Sequence, residues 1–413
     1  MVAFHFPPQA GSSGVLRALK FCRYLPEAGW LPIVLTAHPR AYERVDDSQL
    51  GEVPPDVPVY RAFALNTRKH LVIRQRYFRW MALPDRWVSW CLGAIPTGVF
   101  VIFKKRVDVI LTTYPIATAV LVGYILHQLT GKPWVADFRD SMTEDEYPRE
   151  APVRRVYRWI ERKAVRHASL LLFTAASTVR MYLKRYPELR PGQCLVVPNG
   201  YDEVDFSHLD SLKPETHQAG KRLRLLHTGL LYPEDRDPTA FFRALARLKQ
   251  GGKVNQATVS IDLRAPGSQA YYAGMLRGMD IEDLVRLLPP IPYREALREG
   301  AEADGLLLFQ GASCNHQIPA KAYEYLRLGK PILALTDHAG DTATLLRETG
   351  GATTVDLGDE QAIYAALPAF LSSLWRGDHP LPNPQVVQRY SRRSQAFQVA
   401  QLLSRLCAST AAE

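Results

Sequence analysis

The sequence of 413 residues has few cysteines and lacks the patterns that mark several classes of protein. Its cysteines are odd in number, are widely spaced and form no Cys-x-x-Cys pair; they are Cys22, Cys91, Cys194, Cys314 and Cys407. This usage disfavours a structural zinc site and a secreted disulfide framework, and it favours a reducing compartment. We find no convincing internal repeat or low-complexity tract. With 47% hydrophobic and 22% charged residues, the composition excludes disordered and collagen-like classes.

Long apolar segments are equally scarce. The first eight residues, MVAFHFPP, contain neither a basic leader nor a long apolar core, and we therefore expect no signal peptide. The segment Trp87–Phe103 is free of charge over 17 residues. A spanning helix needs roughly 20 apolar residues, and Pro96 also interrupts this run. We therefore do not expect a transmembrane helix here.

The flanks of this segment are strongly basic. The window Arg68–Arg106 contains nine Lys or Arg residues and one acid, Asp85, and it includes Trp80, Trp87 and Trp90. Basic residues mixed with aromatic residues are typical of peripheral contact with an anionic membrane surface. The alternative is a buried helix of the domain with a solvated basic flank.

The net charge of +10 is distributed unevenly. Residues 1–200 contain 28 Lys or Arg against 16 Asp or Glu, a net charge of +12, whereas the remainder contains 23 against 25, a net charge of −2. This asymmetry indicates two domains with different partners. The basic half attracts anionic partners such as lipid head groups, nucleic acid or a phosphorylated acceptor. No recognised nucleic-acid-binding module accompanies the charge, and we do not expect nucleic acid as a partner.

Short apolar runs rich in β-branched residues alternate with longer segments of helical period, which predicts an α/β fold with parallel strands. The polar segment 202–222 is the predicted linker between two doubly wound, Rossmann-like domains. We expect an N-terminal domain over 1–200, a C-terminal domain over 201–384 and a last helix over 385–413. The predicted strands are 3–6, 31–36, 108–112, 134–138, 170–174, 194–197, 223–228, 257–263, 304–309 and 331–335.

Two motifs in the first half place polar groups where parallel strands end. The segment FPPQAGSSGVLR, Phe6–Arg17, joins a strand to a helix through a Gly/Ser loop, in which Gly14 would let an anion approach the backbone. It is neither a Gly-x-Gly-x-x-Gly motif nor a P-loop, and a tight turn with a serine cap is the alternative. In WVADFRD, Asp137 and Asp140 would orient hydroxyls or stabilise positive charge, and Arg139 would hold either of them. The alternative is a buried Arg–Asp pair that shapes the loop.

In the second half, the sequence His227-Thr228-Gly229 ends a predicted strand, and Arg236 precedes a predicted helix over 239–249. A glycine turn and a nearby cation suit a phosphate group. Asp235 and Asp237 form a DxD, but with Pro238 next to it Asp237 is better suited to cap the helix. We therefore expect no metal site and no metal cofactor.

The most informative motif is QIPAKAYEYLRLGKPILAL, residues 317–335. Pro319 suits the first position of a helix and Gly329 its C-terminal cap, which predicts a helix over 319–328. Lys321 then lies in the first turn, where the helix dipole disfavours a cation unless an anion is bound. Glu324 lies three residues on, on the same face, so the pair offers a cation for a diphosphate and a carboxylate for ribose hydroxyls. A simple surface Lys–Glu pair is the alternative.

In this order the motifs resemble the group-one, family-four retaining glycosyltransferases. They are the FPP and Gly-rich start, ADFRD, Pro198-Asn199-Gly200-Tyr201-Asp202, HTG, and the PxKxxEYLxxGKP helix. The resemblance implies a GT-B fold, in which two Rossmann-like domains face each other across a cleft. The N-terminal domain would bind the acceptor and the C-terminal domain a UDP- or GDP-linked sugar, usually without a metal.

The resemblance also implies roles for single residues. Glu324 would hold the ribose, Tyr293 would lie beside the nucleotide base, and Gly14 and Gly229 would approach the diphosphate from opposite sides. Asn199 is a further candidate contact to substrate. Arg236, Lys321 and Asp140 are the candidate catalytic residues, the two cations acting on the leaving diphosphate.

Two positions depart from the family pattern: His316 replaces the first acid of the usual E-x7-E pair, and Leu230 follows Gly229 where arginine is frequent. The expected activity is sugar transfer with retention to a lipid-linked or saccharide acceptor, in assembly of bacterial surface polysaccharide or glycolipid. The expected location is cytoplasmic, at the inner face of the membrane. A non-catalytic nucleotide-sugar-binding protein and a nucleotide-sugar epimerase are the alternatives.

Overall fold

The computed structural model describes residues 1–10, 14–72, 77–144, 147–209, 222–233 and 235–410. Two compact units are present, the first made of Met1–Pro198 together with the last helix and the second of Asn199–Ser391. The predicted boundaries were 200 and 384, and the division here falls at 198 and 391. Residues 11–13 of the Gly/Ser loop, Arg74 and Arg76 of the basic window, and 210–221 of the predicted linker lie outside the described residues.

The first unit contains a seven-stranded parallel sheet in the order β3-β2-β1-β4-β5-β6-β7. The chain order reverses between β1 and β4, which is the position where open α/β sheets place ligands beyond the carboxyl ends of their strands. The strands are β1 Val2–Ala3, β2 Val34–Ala37, β3 Val59–Ala62, β4 Ile110–Thr113, β5 Trp134–Arg139, β6 Leu170–Phe173 and β7 Cys194–Val196.

The second unit contains a six-stranded parallel sheet in the order β10-β9-β8-β11-β12-β13. Its reversal of chain order lies between β8 and β11. The strands are β8 Leu223–Thr228, β9 Val259–Arg264, β10 Val285–Leu288, β11 Gly305–Gln310, β12 Ile332–Thr336 and β13 Ala352–Val355. The expected fold class, two doubly wound parallel sheets with alternating helices, is confirmed.

Helices connect the strands in both units, so that each sheet is covered on its two faces. Those of the first unit are α1 Gly14–Tyr24, α2 Thr67–His70, α3 Cys91–Lys104, α4 Ala117–Thr130, α5 Ala151–His167, α6 Ala176–Arg185 and the last helix, α15 Arg392–Thr410. Those of the second unit are α7 Glu203–Phe206, α8 Thr239–Gln250, α9 Gln269–Gly278, α10 Tyr293–Glu302, α11 Ala320–Leu328, α12 Asp341–Thr349, α13 Glu360–Arg376 and α14 Pro384–Gln388.

The sheets lie in the cores of their units. Every residue of β5 and of β11 is buried, as expected for central parallel strands covered by helices on both sides. The helix α15 completes the core of the first unit, where Val399 and Leu403 pack with Phe21 of α1 and Val135 of β5. The first unit is therefore built from the beginning and the end of the described chain.

Three strands were not predicted from the sequence: β3, β10 and β13. All three are four residues long and carry half-buried or exposed positions, so they lack the continuous apolar run of a central strand. The predicted linker was also too long at its start, because the Asp202 side chain accepts a hydrogen bond from the Val204 amide and begins α7.

The segment Trp87–Phe103 forms α3 and the short turn before it, and α3 is partly exposed. Among the described residues, no helix is both long and apolar enough to cross a membrane. Trp90 is wholly buried and Trp87 donates its indole N–H to the Ala41 carbonyl, so neither forms an exposed aromatic contact. Of the three tryptophans in the basic window, Trp80 is the one that lies largely in solvent. Trp90 is therefore not available for contact with a membrane surface.

Candidate functional site

The sequence-predicted residues of the second unit gather at the carboxyl edge of its sheet, where β8 and β11 are neighbours. Gly229 directly follows β8, and α11 follows β11 through a short loop. The helix α11 begins at Ala320 with Pro319 as its N-cap, one residue later than predicted, and ends at Gly329 with φ of 66°. Lys321 is therefore the second helical residue, at the end of the helix where free N–H groups are found.

Gly229 and Lys321 are in close contact. The backbone of Gly229 has φ of 92°, a conformation that disfavours any residue with a side chain, and a Cβ at this position would lie 3.2 Å from Nζ of Lys321. The glycine is thus required both by the turn and by the neighbouring ammonium. The arrangement leaves a cation directly against the main chain of the turn.

Lys321 is held by His227, the last residue but one of β8. Nδ1 of His227 lies 2.9 Å from the carbonyl oxygen of Leu307 and must donate to it, because a carbonyl only accepts. Nε2 is then the acceptor, and it lies 3.1 Å from Nζ of Lys321. Burial lowers the pKa of His227 well below its usual value, and Lys321 lowers it further. The imidazole is therefore neutral and aims the Lys321 ammonium at the turn.

The pKa of Lys321 is lowered to about 7, mainly by burial and also by the nearby guanidinium of Arg236, while Glu324 opposes the shift. Two like charges are thus placed close together before any anion is present. The surface Lys–Glu pair considered from the sequence does not describe this site, because the ammonium donates to His227.

Arg236 is oriented by the last residue of β11. Its Nε donates to Oε1 of Gln310 at 3.1 Å, and its guanidinium carbon lies 5.5 Å from the centre of the Tyr232 ring. Gln310 is almost fully buried and its amide also donates to the carbonyls of Cys314 and Gln317. This amide fixes both the arginine and the loop that leads to α11.

Glu324 and Tyr293 are also brought together. The Tyr293 hydroxyl donates to Oε1 of Glu324 at 2.9 Å, and both side chains remain accessible to solvent. The adjacent Tyr325 accepts at its hydroxyl from the Thr228 amide at 2.9 Å, which ties α11 to the end of β8. A carboxylate and a phenol therefore lie one helical turn from the Lys321 cation.

Both carboxylates of the DxD motif accept hydrogen bonds from other residues of the chain. Asp237 accepts a hydrogen bond from the Thr239 amide at 3.0 Å and so caps α8, and Asp235 accepts one from the Ser313 hydroxyl at 2.7 Å. In the part of the chain that the structure describes, no three His, Cys, Asp or Glu side chains group together as metal ligands would.

In the first unit, Asp137 differs from its predicted role. Both of its oxygens accept hydrogen bonds from Arg17, at 2.8 and 2.9 Å, and both side chains are almost fully buried. Arg17 also donates to the carbonyls of Val197 and Pro198. Asp137 is therefore occupied by a structural ion pair rather than placed to bind a hydroxyl, and Arg17 is its partner in place of the expected Arg139.

Three other predicted residues, Gly14, Arg139 and Asp140, belong to the first unit, and Asn199 belongs to the second. Arg139 ends β5 and is buried, and Asp140 follows it with a half-buried side chain. Gly14 is buried at the start of α1. Asn199 is half-buried at the beginning of the second unit.

A buried carboxylate that sequence reasoning missed supports the loop after Asp140. Glu161 of α5 is fully buried, accepts from the Thr143 hydroxyl at 2.6 Å and from the Tyr186 hydroxyl at 2.8 Å, and pairs with Arg185 at 3.0 Å. Arg185 also donates to the Thr143 carbonyl. Glu161 and Arg185 thus fix the position of Thr143 from 18 and 42 residues further along the chain, and no local sequence pattern indicates these contacts.

Comparison with protein families gives a match over the first unit. Residues 14–200 match the model described as the glycosyl transferase 4-like domain. This part of the chain is similar to glycosyl transferase 4-like domains. The resemblance inferred from the motifs is confirmed at this level, and the two-sheet architecture is that of GT-B glycosyltransferases.

Solved structures with this fold align over nearly the whole chain. Trehalose 6-phosphate synthase of Burkholderia multivorans has a TM-score of 0.65 and 11% identity, with 100% of this chain and 97% of that one covered. HepE of Anabaena in complex with UDP-glucose has a TM-score of 0.63 and 15% identity, covering 98% and 99%. Sucrose-phosphate synthase of Thermosynechococcus elongatus has a TM-score of 0.60 and 15% identity, with 99% of this chain and 98% of that one covered. None of the curated proteins matches the sequence.

Proposed function

We propose that this protein transfers a sugar from a nucleotide-diphosphate donor to an acceptor hydroxyl, with retention at the anomeric carbon. The observation that carries the proposal is the cluster of Gly229, Arg236 and Lys321 at the sheet edge of the second unit. The amide of Gly229 donates to the Arg264 carbonyl, so the site offers an anion two cations and the N-terminal amides of α11 beside a backbone turn without a side chain, and this combination suits a diphosphate. The structure of HepE with UDP-glucose supports a nucleotide sugar as the donor.

Cleavage of the bond between sugar and phosphate develops negative charge on the departing diphosphate. Arg236, Lys321 and the N-terminal amides of α11 supply positive potential there, and because His227 and Gln310 already hold the two cations, little reorganisation is needed. Glu324 would accept hydrogen bonds from the ribose hydroxyls, with Tyr293 beside the base. Asp140 would stabilise the positive charge that develops on the sugar.

The acceptor is proposed to be lipid-linked or a saccharide, in assembly of bacterial surface polysaccharide or glycolipid at the inner face of the membrane. A peripheral membrane contact is supported by α3, which exposes the apolar side chains of Leu92, Phe100 and Phe103. Lys104, Lys105 and Arg106 follow these residues directly and suit anionic head groups. The exposed rings of Phe78 and Trp80, stacked 6.4 Å apart, supply further apolar surface in the same unit.

The decisive experiment measures donor binding and transfer in one purified protein. Thermal melting with a panel of uracil and guanine nucleotide sugars identifies the donor, because a ligand of the folded state at 100 times its Kd adds about 2.7 kcal/mol. Transfer is then followed with the selected donor, and the anomeric configuration of the product is read by NMR. Arg236→Ala should abolish most transfer, and Arg243→Ala, an exposed arginine of α8, should not.

Each alternative function has its own result. Conversion of the donor in the absence of any acceptor would identify an epimerase. Donor binding that requires Lys321 and Glu324, without transfer to any acceptor, would identify a nucleotide-sugar-binding protein. If the Arg236→Ala and Lys321→Ala variants bound the donor as tightly as the wild type, neither cation would belong to the donor site.

A further inference from the structure

Arg139 occupies an unusual position at the carboxyl edge of the first sheet. Its backbone has φ of 61°, which residues with side chains seldom adopt, and the register of β5 against β6 shifts between Asp137 and Arg139. The amide and the hydroxyl of Thr174 both donate to the Arg139 carbonyl, at 2.9 and 2.8 Å. The neighbouring strand thus holds the residue in this conformation, and strain of this kind is typical of functional sites.

The side chain of Arg139 is buried, with one of its donors unpaired within the described part of the chain. It is 7% exposed, and among the described residues its Nε has no hydrogen-bond partner and its guanidinium forms no ion pair. Asp137 is already bound through both oxygens to Arg17. Burial lowers the pKa of Arg139 and the charge of Arg17 lowers it further, whereas the carboxylates of Asp140 and Asp137 oppose the shift. A buried guanidinium with an unused donor is costly unless an anion compensates it.

His5, two residues after β1, lies near this guanidinium. Burial and then the charge of Arg139 lower the pKa of His5 to about 4, so the imidazole is neutral at physiological pH. His5 follows β1 and Arg139 ends β5, the neighbour of β4, so Arg139 lies one strand from the reversal of strand order between β1 and β4, where a ligand is expected in a sheet of this kind.

We propose that Arg139 binds, in the first unit, an anionic group, a phosphate or a carboxylate, carried by the sugar acceptor. A guanidinium presents parallel N–H donors that match either oxyanion. The net charge of +12 over residues 1–200 favours the approach of such an acceptor. The inference rests on the proposed function, in which the donor diphosphate has its own cations, Lys321 and Arg236, in the second unit.

The test uses inorganic phosphate and acetate as probes, titrated into the full chain with and without UDP. The Nε–H signal of Arg139 in protein labelled with ¹⁵N-arginine, assigned by its loss in Arg139→Gln, should shift with one of the anions. In calorimetry, Arg139→Gln should lower the affinity for that anion by about tenfold or more, which is the loss expected for a charge-assisted hydrogen bond. Arg155→Gln, an exposed arginine of α5, is the matched control and should bind it like the wild type. Comparison of the two probes distinguishes a phosphate from a carboxylate.

Two results would overturn the inference. The first is that neither probe at about 10 mM moves the Arg139 signal of the wild-type protein. The second is that phosphate competes with UDP and that Arg139→Gln loses UDP binding, since the anion would then belong to the donor. Failure of the proposed function gives a different result, in which Lys321→Ala binds UDP like the wild type while the anion titrations are unaffected. Equal melting temperatures of the two glutamine variants would show that both are folded.

Discussion

Nζ of Lys321 lies 3.1 Å from Nε2 of His227, so that a buried imidazole on a strand orients an ammonium group on a helix 94 residues later in the chain. The other imidazole nitrogen is fixed by the Leu307 carbonyl, which leaves Nε2 as an acceptor. Because Nζ of Lys321 lies against the turn at Gly229, an anion bound at this turn would raise the pKa of Lys321 and keep it protonated. Several predictions about binding and stability depend on this pair.

Donor binding should take up a proton near neutral pH. The pKa of Lys321 in the free protein is about 7, lowered mainly by burial, with the charge of Arg236 contributing in the same direction. A diphosphate binds the ammonium form more tightly and raises this pKa. As pH rises from about 7 towards the pKa of the complex, donor affinity should therefore fall by up to about tenfold per pH unit. Calorimetry with a nucleotide sugar in buffers of different ionisation enthalpy measures the proton directly.

The matched variant for this prediction is Lys321→Met, which keeps the apolar stem but cannot titrate. It should bind the donor weakly and without proton uptake over the same pH range. Proton uptake that persists in Lys321→Met would assign the titration to another group.

His227→Phe should affect both stability and the titration of Lys321. Loss of the imidazole leaves the Leu307 carbonyl without its donor, which should lower the free energy of unfolding by about 1–3 kcal/mol in urea denaturation. It also removes the acceptor of the buried ammonium, so the pH dependence of donor binding should move to lower pH. A variant that is less stable but keeps the wild-type pH profile would show that His227 is only structural.

Gly229→Ala should weaken donor binding beyond its effect on stability. The new Cβ would require φ of 92° and would lie 3.2 Å from Nζ of Lys321, displacing the cation from the turn. Gly252→Ala is the matched control, because it has φ of 68° and no atom within 4 Å of the Cβ position. Both should lose about 1 kcal/mol of stability or more, whereas only Gly229→Ala should raise the Kd for the donor, by about tenfold.

Asp137→Asn should strongly destabilise the first unit. It leaves the almost fully buried Arg17 without a counter-ion, and breaking a buried pair on one side costs about 3–5 kcal/mol. Glu150→Gln, which breaks the exposed pair with Arg79, should change stability by about 1 kcal/mol or less. Urea denaturation of both variants measures the difference, and a mild effect of Asp137→Asn would favour a free carboxylate at this position.

The α3 surface should contribute to binding of anionic vesicles. Replacing Phe100 and Phe103 together by serine should reduce flotation with phosphatidylglycerol liposomes, and added salt should reduce it further through the basic residues at 104–106. Leu31→Ser is the control, because Leu31 is 84% exposed but lies before β2, outside α3. Equal flotation of the double variant and the wild type would exclude this surface.

The sequence was sufficient for the features that depend on local signals. Both Gly329, with its positive φ, and the apolar run of β12 are marked within a few residues, and α11 was placed to within one residue at its start and correctly at its end. The edge strands β3, β10 and β13 could not be found in this way, since half-buried strands of four residues resemble loops in composition.

The contacts within the site were less accessible to sequence reasoning. Arg17 meets Asp137 across 120 positions, and Gln310 meets Arg236 across 74, so no spacing rule connects either pair. The placement of Lys321 in a first helical turn did indicate an unusual cation, but the partner that holds it comes from β8. Pairs of this kind depend on how strands are ordered in the sheet.

The return of α15 to the first unit has a consequence for biosynthesis. Phe21 and Val135 are made early, but Val399 and Leu403, which pack with them, are made only after the whole second unit. The second unit is contiguous in sequence and can fold before them. During translation the apolar surface around Phe21 and Val135 therefore stays uncovered until α15 has been made, and chaperones can act on it.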